Sequence, residues 1–234
     1  MKITKEKTLE WSKRTVAYLL GLFLIACGIS VAVKSNLGVS PASSLPFVLS
    51  KRFSSFTLGT WTTIVYCVLV LVQLILLGKD FKWYYLLQFA VSTLFGFFVD
   101  GAAWLAGFCV PDVSNYVLRL VYMLISMVII AFGVTLYLTA NIMSMPAEGV
   151  VLAISKRTKL QVPTCKTIVD TSLACLALIC SLIFFHGLNG VREGTLISAF
   201  GIGFIMKPIN KYVKKPLRDF LFGKPKQEKI TDQV

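Results

Sequence analysis

Three carboxylates lie in stretches that are otherwise apolar: Asp100 within LFGFFVDGAAW, Glu148 within MSMPAEGVVLA and Asp170 within CKTIVDTSLA. An ionisable side chain at membrane depth is costly, and for that reason it is a candidate for binding a solute or a coupling ion. Lys166 precedes Asp170 by four residues, so the two can neutralise each other on one helical face. Uncharged hydrogen-bonding groups accompany them: Asn36, Ser40 and Ser43 in NLGVSPASSL, and Asn141 and Ser144 in NIMSMP. The chemistry open to this set is non-covalent recognition of a small solute or ion.

Covalent chemistry has no equivalent support. There is no Ser-His-Asp set, no H-E-x-x-H and no phosphate-cradling G-x-x-x-x-G-K-[ST], so neither an enzyme nor an ATP hydrolase is expected. The six cysteines form no C-x-x-C pair and His186 is the single histidine, so neither a metal site nor a cofactor is expected. Leu24-Ile25-Ala26-Cys27 has the form of a lipid-attachment site, but the residues after it belong to an internal repeat, and the run is expected to stay structural.

The elements that must hold these groups are membrane helices. The chain of 234 residues is 56% hydrophobic and only 15% charged, with a mean hydropathy of +0.75. Six apolar runs long enough to cross a bilayer fall near 15–34, 57–78, 83–107, 116–140, 164–186 and 192–213. The expected architecture is all-α: six long transmembrane helices and two short re-entrant or interfacial ones. Residues 1–14 form a basic N-terminus, 15–215 the membrane domain and 216–234 a basic C-terminal tail.

The formal charge of +13 sits mainly at the ends. Residues 1–14 carry five Lys or Arg against Glu6 and Glu10, and residues 207–234 carry eight against three acids. Basic flanks of this kind favour the cytoplasmic side and its anionic lipids. Both termini are therefore expected to be cytoplasmic, and no nucleic-acid partner is expected, because no aromatic-basic surface lies outside the membrane.

Shifting the chain by 105 residues aligns it with itself without a gap from Gly28 to Gly101. Asn36 meets Asn141, Pro41 meets Pro146, Ser50-Lys51-Arg52 meets Ser155-Lys156-Arg157, and Phe95-Gly96 meets Phe200-Gly201. The copies cover about 15–110 and 116–213. Each holds a long helix, an Asn-to-Lys-Arg segment and two further long helices. The 16 residues between Lys34 and Lys51 reach about 24 Å as a helix, less than the ~30 Å hydrocarbon core. Three spans per copy would insert the second copy upside down, an architecture common among secondary transporters. A path with eight crossings and parallel copies is the alternative.

Broken backbone at membrane depth belongs where it is buried in protein or lines a cavity. The two Asn-to-Pro segments are expected to meet there, presenting short-helix N-termini to an anionic or zwitterionic solute. Capping by the same Asn and Ser residues is the plainer explanation of their presence. Thr62 and Thr167 occupy equivalent helix positions, and Gln73 and Gln88 can bond between helices.

The recurring stretches NLGVSPASSLPFVLS, LGTWT and LFGFFVD resemble the YczE/YyaS/YitT family of bacterial multi-pass membrane proteins, over roughly residues 12–215. The N-x-G-x-[SG]-P segment, with Gly38 and Pro41, carries the likeness; the second copy has Met143 in place of Gly38. The resemblance implies a bacterial cytoplasmic-membrane protein and assigns no residue a role. The expected function is a small secondary transporter or channel-like carrier. The rival is a non-transporting scaffold or regulatory factor that binds a partner protein through its helices or basic tail.

Overall fold

The computed structural model describes residues 2–222, with side chains from Lys7 onward. Among the described residues there are nine α-helices and no strand: α1 (Lys2–Ser35), α2 (Pro41–Arg52), α3 (Leu58–Leu77), α4 (Leu87–Cys109), α5 (Tyr116–Ala140), α6 (Pro146–Thr158), α7 (Val162–Phe185), α8 (Glu193–Tyr212) and α9 (Lys214–Phe222). Helices are what such a sequence must form in lipid, where each backbone polar group needs a partner within the segment. The basic stretch expected as a separate N-terminus continues into α1 as the same helix. The C-terminal tail forms α9 as far as Phe222, and the rest of it lies outside the described residues.

Local chemistry sets the breaks. Asn36 and Asn141 turn left-handed after α1 and α5, with φ of 53° and 51°, a conformation that Asn tolerates better than most side chains. Pro41 and Pro146 then open α2 and α6 as first-turn residues, where a missing N–H costs nothing. These two helices have 12 and 13 residues, about 18 and 20 Å.

α1 and α5 are the central pair, and they run antiparallel. Arg14 near the start of α1 reaches the carbonyls at the end of α5, Gly21 faces Gly133 and Tyr137, and Gly28 faces Ser126. A methyl group at Gly21 would lie 2.7 Å from the Tyr137 nitrogen and 2.9 Å from the Gly133 oxygen, so glycine permits this backbone approach. α4 packs on α1 and α8 on α5. The short helices pack crosswise: α2 lies against α7 and α6 against α3. Phe95, Val99, Leu22, Ala26 and Ala131 are fully buried among these helices.

Among the described residues, five helices are long and apolar enough to cross a membrane: Lys7–Ser35, Leu58–Asp80, Trp83–Cys109, Tyr116–Ala140 and Val162–Phe185. The sixth expected run does form α8, but its twenty residues include Glu193, Lys207, Pro208, Asn210 and Lys211, which lower its hydropathy. Large apolar side chains face outward along the bundle, Ile75, Phe97 and Phe204 being at least 70% exposed. Such a surface suits a hydrocarbon solvent.

Candidate functional site

Among the described residues, five buried side-chain oxygens lack a hydrogen-bond partner: Tyr18 Oη, Gln73 Oε1, Gln88 Oε1, Tyr137 Oη and Glu148 Oε2. An unpaired buried polar atom costs about 1–3 kcal/mol, so five in one small protein require an explanation. They belong to one neighbourhood. The Tyr18 and Tyr137 rings meet edge to face at 6.1 Å, and both residues lie within electrostatic reach of Glu148. Tyr137 faces the Glu148 carboxyl, although neither its hydroxyl nor Glu148 Oε2 completes a well-formed hydrogen bond.

Each element has a reason to deliver its group here. α6 begins at Pro146, so Glu148 falls in its first turn, where a carboxylate offsets the positive helix end. Met145, the residue before α6, supplies no side-chain cap. Gly149 lies directly against the Gln73 amide and 3.0 Å, measured from an added methyl position, from Gln88 Nε2. Gln88 Nε2 in turn donates to Ser144 Oγ at 3.5 Å. Gln73 and Gln88 are at most 1% exposed. Glu148, Ser144 and Asp170 keep partial exposure, so water-sized groups reach the edge of the cluster although Glu148 Oε2 itself is covered.

α3 adds Tyr66, stacked on Phe95 with centroids 5.8 Å apart and within electrostatic reach of Glu148 and Asp170. α7 adds Lys166 and Asp170, paired at 3.1 Å and both felt by Glu148. Groups from six helices thus gather in one polar cluster.

The structure brings together three of the candidates named from sequence, Ser144, Glu148 and Asp170, and holds the others apart. Asn36 and Asn141 do not meet. The Asn141 carbonyl accepts from Arg14 Nη2 at 2.8 Å, the Asn36 carbonyl accepts from Arg192 Nη1 at 3.2 Å, and α1 between Arg14 and Ser35 is about 31 Å of unbroken helix. The expected convergence of the two Asn-to-Pro segments is therefore corrected: the antiparallel α1–α5 pair places them at opposite ends. Ser40 Oγ donates to Ser43 Oγ at 3.2 Å beside the start of α2. Gly38, at φ 106°, is pressed against Thr195 and the Arg192 nitrogen. Asp100 has a task of its own, accepting from Thr57 Oγ1 at 2.6 Å and from the Gly59 N–H at 2.7 Å at the start of α3.

Tyr18, Tyr66 and Tyr137 were not singled out from sequence. The available signal was a hydroxyl-bearing ring inside an otherwise aliphatic span, which needs a partner or a function when buried.

Fold and site together define a polytopic α-helical membrane protein with a buried polar cluster built around the start of a short helix. The chain belongs to the family of unknown function DUF6198, whose model matches residues 12–211. It is similar to the uncharacterised protein YyaS of Bacillus subtilis (strain 168), with 28% identity over 77% of this chain and 84% of that protein. It is also similar to the uncharacterised membrane protein YczE of the same organism, with 24% identity over 87% of this chain and 86% of that one. The resemblance read from the recurring stretches is thereby upheld for YyaS and YczE. No solved structure matches the chain.

Proposed function

We propose that this chain is a small secondary transporter or channel-like carrier of the bacterial plasma membrane, with its solute site at the Glu148 pocket. The observation that carries this reading is the gathering of all five unpartnered buried oxygens in one place. A protein that only scaffolds a partner gains nothing from an internal pocket of unsatisfied polar atoms.

The architecture proposed is a three-plus-three inverted repeat with both termini cytoplasmic. Its support is the antiparallel α1–α5 pair, the matched left-handed Asn36 and Asn141 and the crosswise seating of α2 and α6. Three tertiary contacts support six crossings over eight: Lys34–Asp112 at 2.8 Å, Lys156–Asp80 at 3.0 Å and Arg14 with the Asn141 carbonyl. A six-crossing path puts each pair on one membrane face, whereas an eight-crossing path puts each on opposite faces.

The test is a thermal-unfolding screen of the purified chain against amino acids, organic cations, anions and neutral metabolites, followed by uptake into proteoliposomes for any class that stabilises. The expected result is stabilisation by one class and uptake that Glu148→Gln reduces. Absence of uptake for every stabilising class refutes the carrier reading and favours partner binding.

A further inference from the structure

We infer that the Glu148 pocket binds a small organic cation with N–H donors, an alkylammonium or guanidinium group. The inference deepens the carrier reading by naming the ligand class of the same site.

The unfilled atoms decide the class. Gln73 Oε1 from α3, Gln88 Oε1 from α4 and Glu148 Oε2 from α6 are acceptors with no donor. No buried side-chain nitrogen is left unpaired among the described residues. The two tyrosine hydroxyls accept or donate as the ligand requires. An ammonium group supplies three donors and no acceptor, the complement of this set.

Charge points the same way. The ionised groups facing the pocket are Glu148 from α6 and Lys166 and Asp170 from α7; α1, α3 and α5 contribute Tyr18, Tyr66 and Tyr137, and α4 contributes neutral Gln88. Lys166 is shared between two carboxylates, paired with Asp170 at 3.1 Å and within electrostatic reach of Glu148, which leaves the three groups one formal negative charge in excess. Tyr18, Tyr66 and Tyr137 lie within electrostatic reach of Glu148, and their hydroxyls add neutral polar groups rather than a second cation.

The expectation of an anionic or zwitterionic solute rested on a bare helix N-terminus, and the cation assignment departs from its anionic half for a local reason. The α6 N-terminus already has its anion, because Glu148 occupies its first turn. A second anion would meet a carboxylate first. A zwitterion fits only through its ammonium end.

The test uses the full chain in detergent at constant ionic strength, titrated with methylammonium, tetramethylammonium, sodium and acetate while the unfolding midpoint is followed. Methylammonium raises the midpoint saturably; tetramethylammonium, with the charge but no N–H, raises it less; sodium and acetate do not. Glu148→Gln weakens methylammonium binding roughly ten- to a hundredfold, the value of a charge-assisted hydrogen bond, and Glu148→Asp restores part of it. Should Glu148→Gln not fold, Tyr137→Phe and the wild-type ranking of the four probes decide. An acetate response, a sodium response equal to that of methylammonium, or a methylammonium response unchanged in Glu148→Gln each overturns the assignment. An anion or neutral solute carried in a Glu148-dependent way overturns the ligand class and leaves the carrier standing. Methylammonium that binds but never crosses a proteoliposome does the reverse.

Discussion

Replacing Asp100 separates a structural carboxylate from a transport one. Its two oxygens accept from Thr57 Oγ1 at 2.6 Å and from the Gly59 N–H at 2.7 Å, so α4 caps the first turn of α3. Hydrogen bonds between membrane helices average about 0.6 kcal/mol each, and an ionised acceptor roughly doubles that. Two such bonds give about 2 kcal/mol for Asp100→Ala, and the shape-conserving Asp100→Asn loses about half as much. Thr57 still caps α3 by accepting from the Thr60 N–H at 3.1 Å, which keeps the loss from growing larger. The assay is equilibrium unfolding in mixed micelles with increasing sodium dodecyl sulfate, followed by circular dichroism. A loss below about 0.5 kcal/mol in Asp100→Ala refutes the capping argument. A normal unfolding curve with abolished solute response would move Asp100 into the binding site.

Three further outcomes are expected. Gly21→Ala destabilises the bundle by about 2 kcal/mol, since the added methyl meets backbone of α5 that cannot yield and overpacking costs 1–3 kcal/mol; Gly101→Ala, which faces open space, is neutral or stabilising in the same unfolding assay. Gly149→Ala pushes on the flexible Gln73 amide rather than on backbone, so the unfolding midpoint stays within a few degrees while the methylammonium response weakens severalfold in the titration. In a cysteine-depleted chain, Lys51→Cys reacts with an impermeant maleimide added to intact cells and Lys156→Cys reacts only after lysis; equal labelling of the two sites refutes the inverted path.

The helices and their breaks were legible because a bilayer leaves so few choices. Runs of about 20 apolar residues must be helical, and Asn followed by Pro marks where one helix stops and the next begins. The site was legible only in pieces. Glu148 and Asp170 stood out as charges in apolar surroundings, and Gln73 and Gln88 as groups able to bond between helices. What brings them together is Gly149, whose missing side chain lets α3 and α4 deliver their amides to the first turn of α6. That contact depends on helix packing, which periodicity does not encode. The same holds for Asp100, whose partner on α3 lies 41 residues away, and for Tyr18 and Tyr137, which meet because α1 and α5 run in opposite directions. Proximity of the two Asn-to-Pro segments failed as an expectation for that reason: the antiparallel α1–α5 pair puts the two turns at its opposite ends.

The two copies have also diverged in a directed way. Glu148 stands where the first copy has Ser43, and Tyr137 where it has Ala32. Asp170 stands where it has Val65, and the position equivalent to Tyr18 in the second copy is Met123. The α2 end is closed by its own contacts: Ser40 bonds Ser43, Thr195 and Arg192 press on Gly38, and Gly190 admits Phe47 and Val48. No unpartnered oxygen is left there among the described residues. The α6 end instead collects every one of them. Two equivalent half-sites facing opposite sides would let a solute equilibrate with each face separately and carry nothing. On the carrier reading proposed above, a single charged site beside one end of the α1–α5 seam, with the other end packed shut, would change its exposure through movement of one copy against the other.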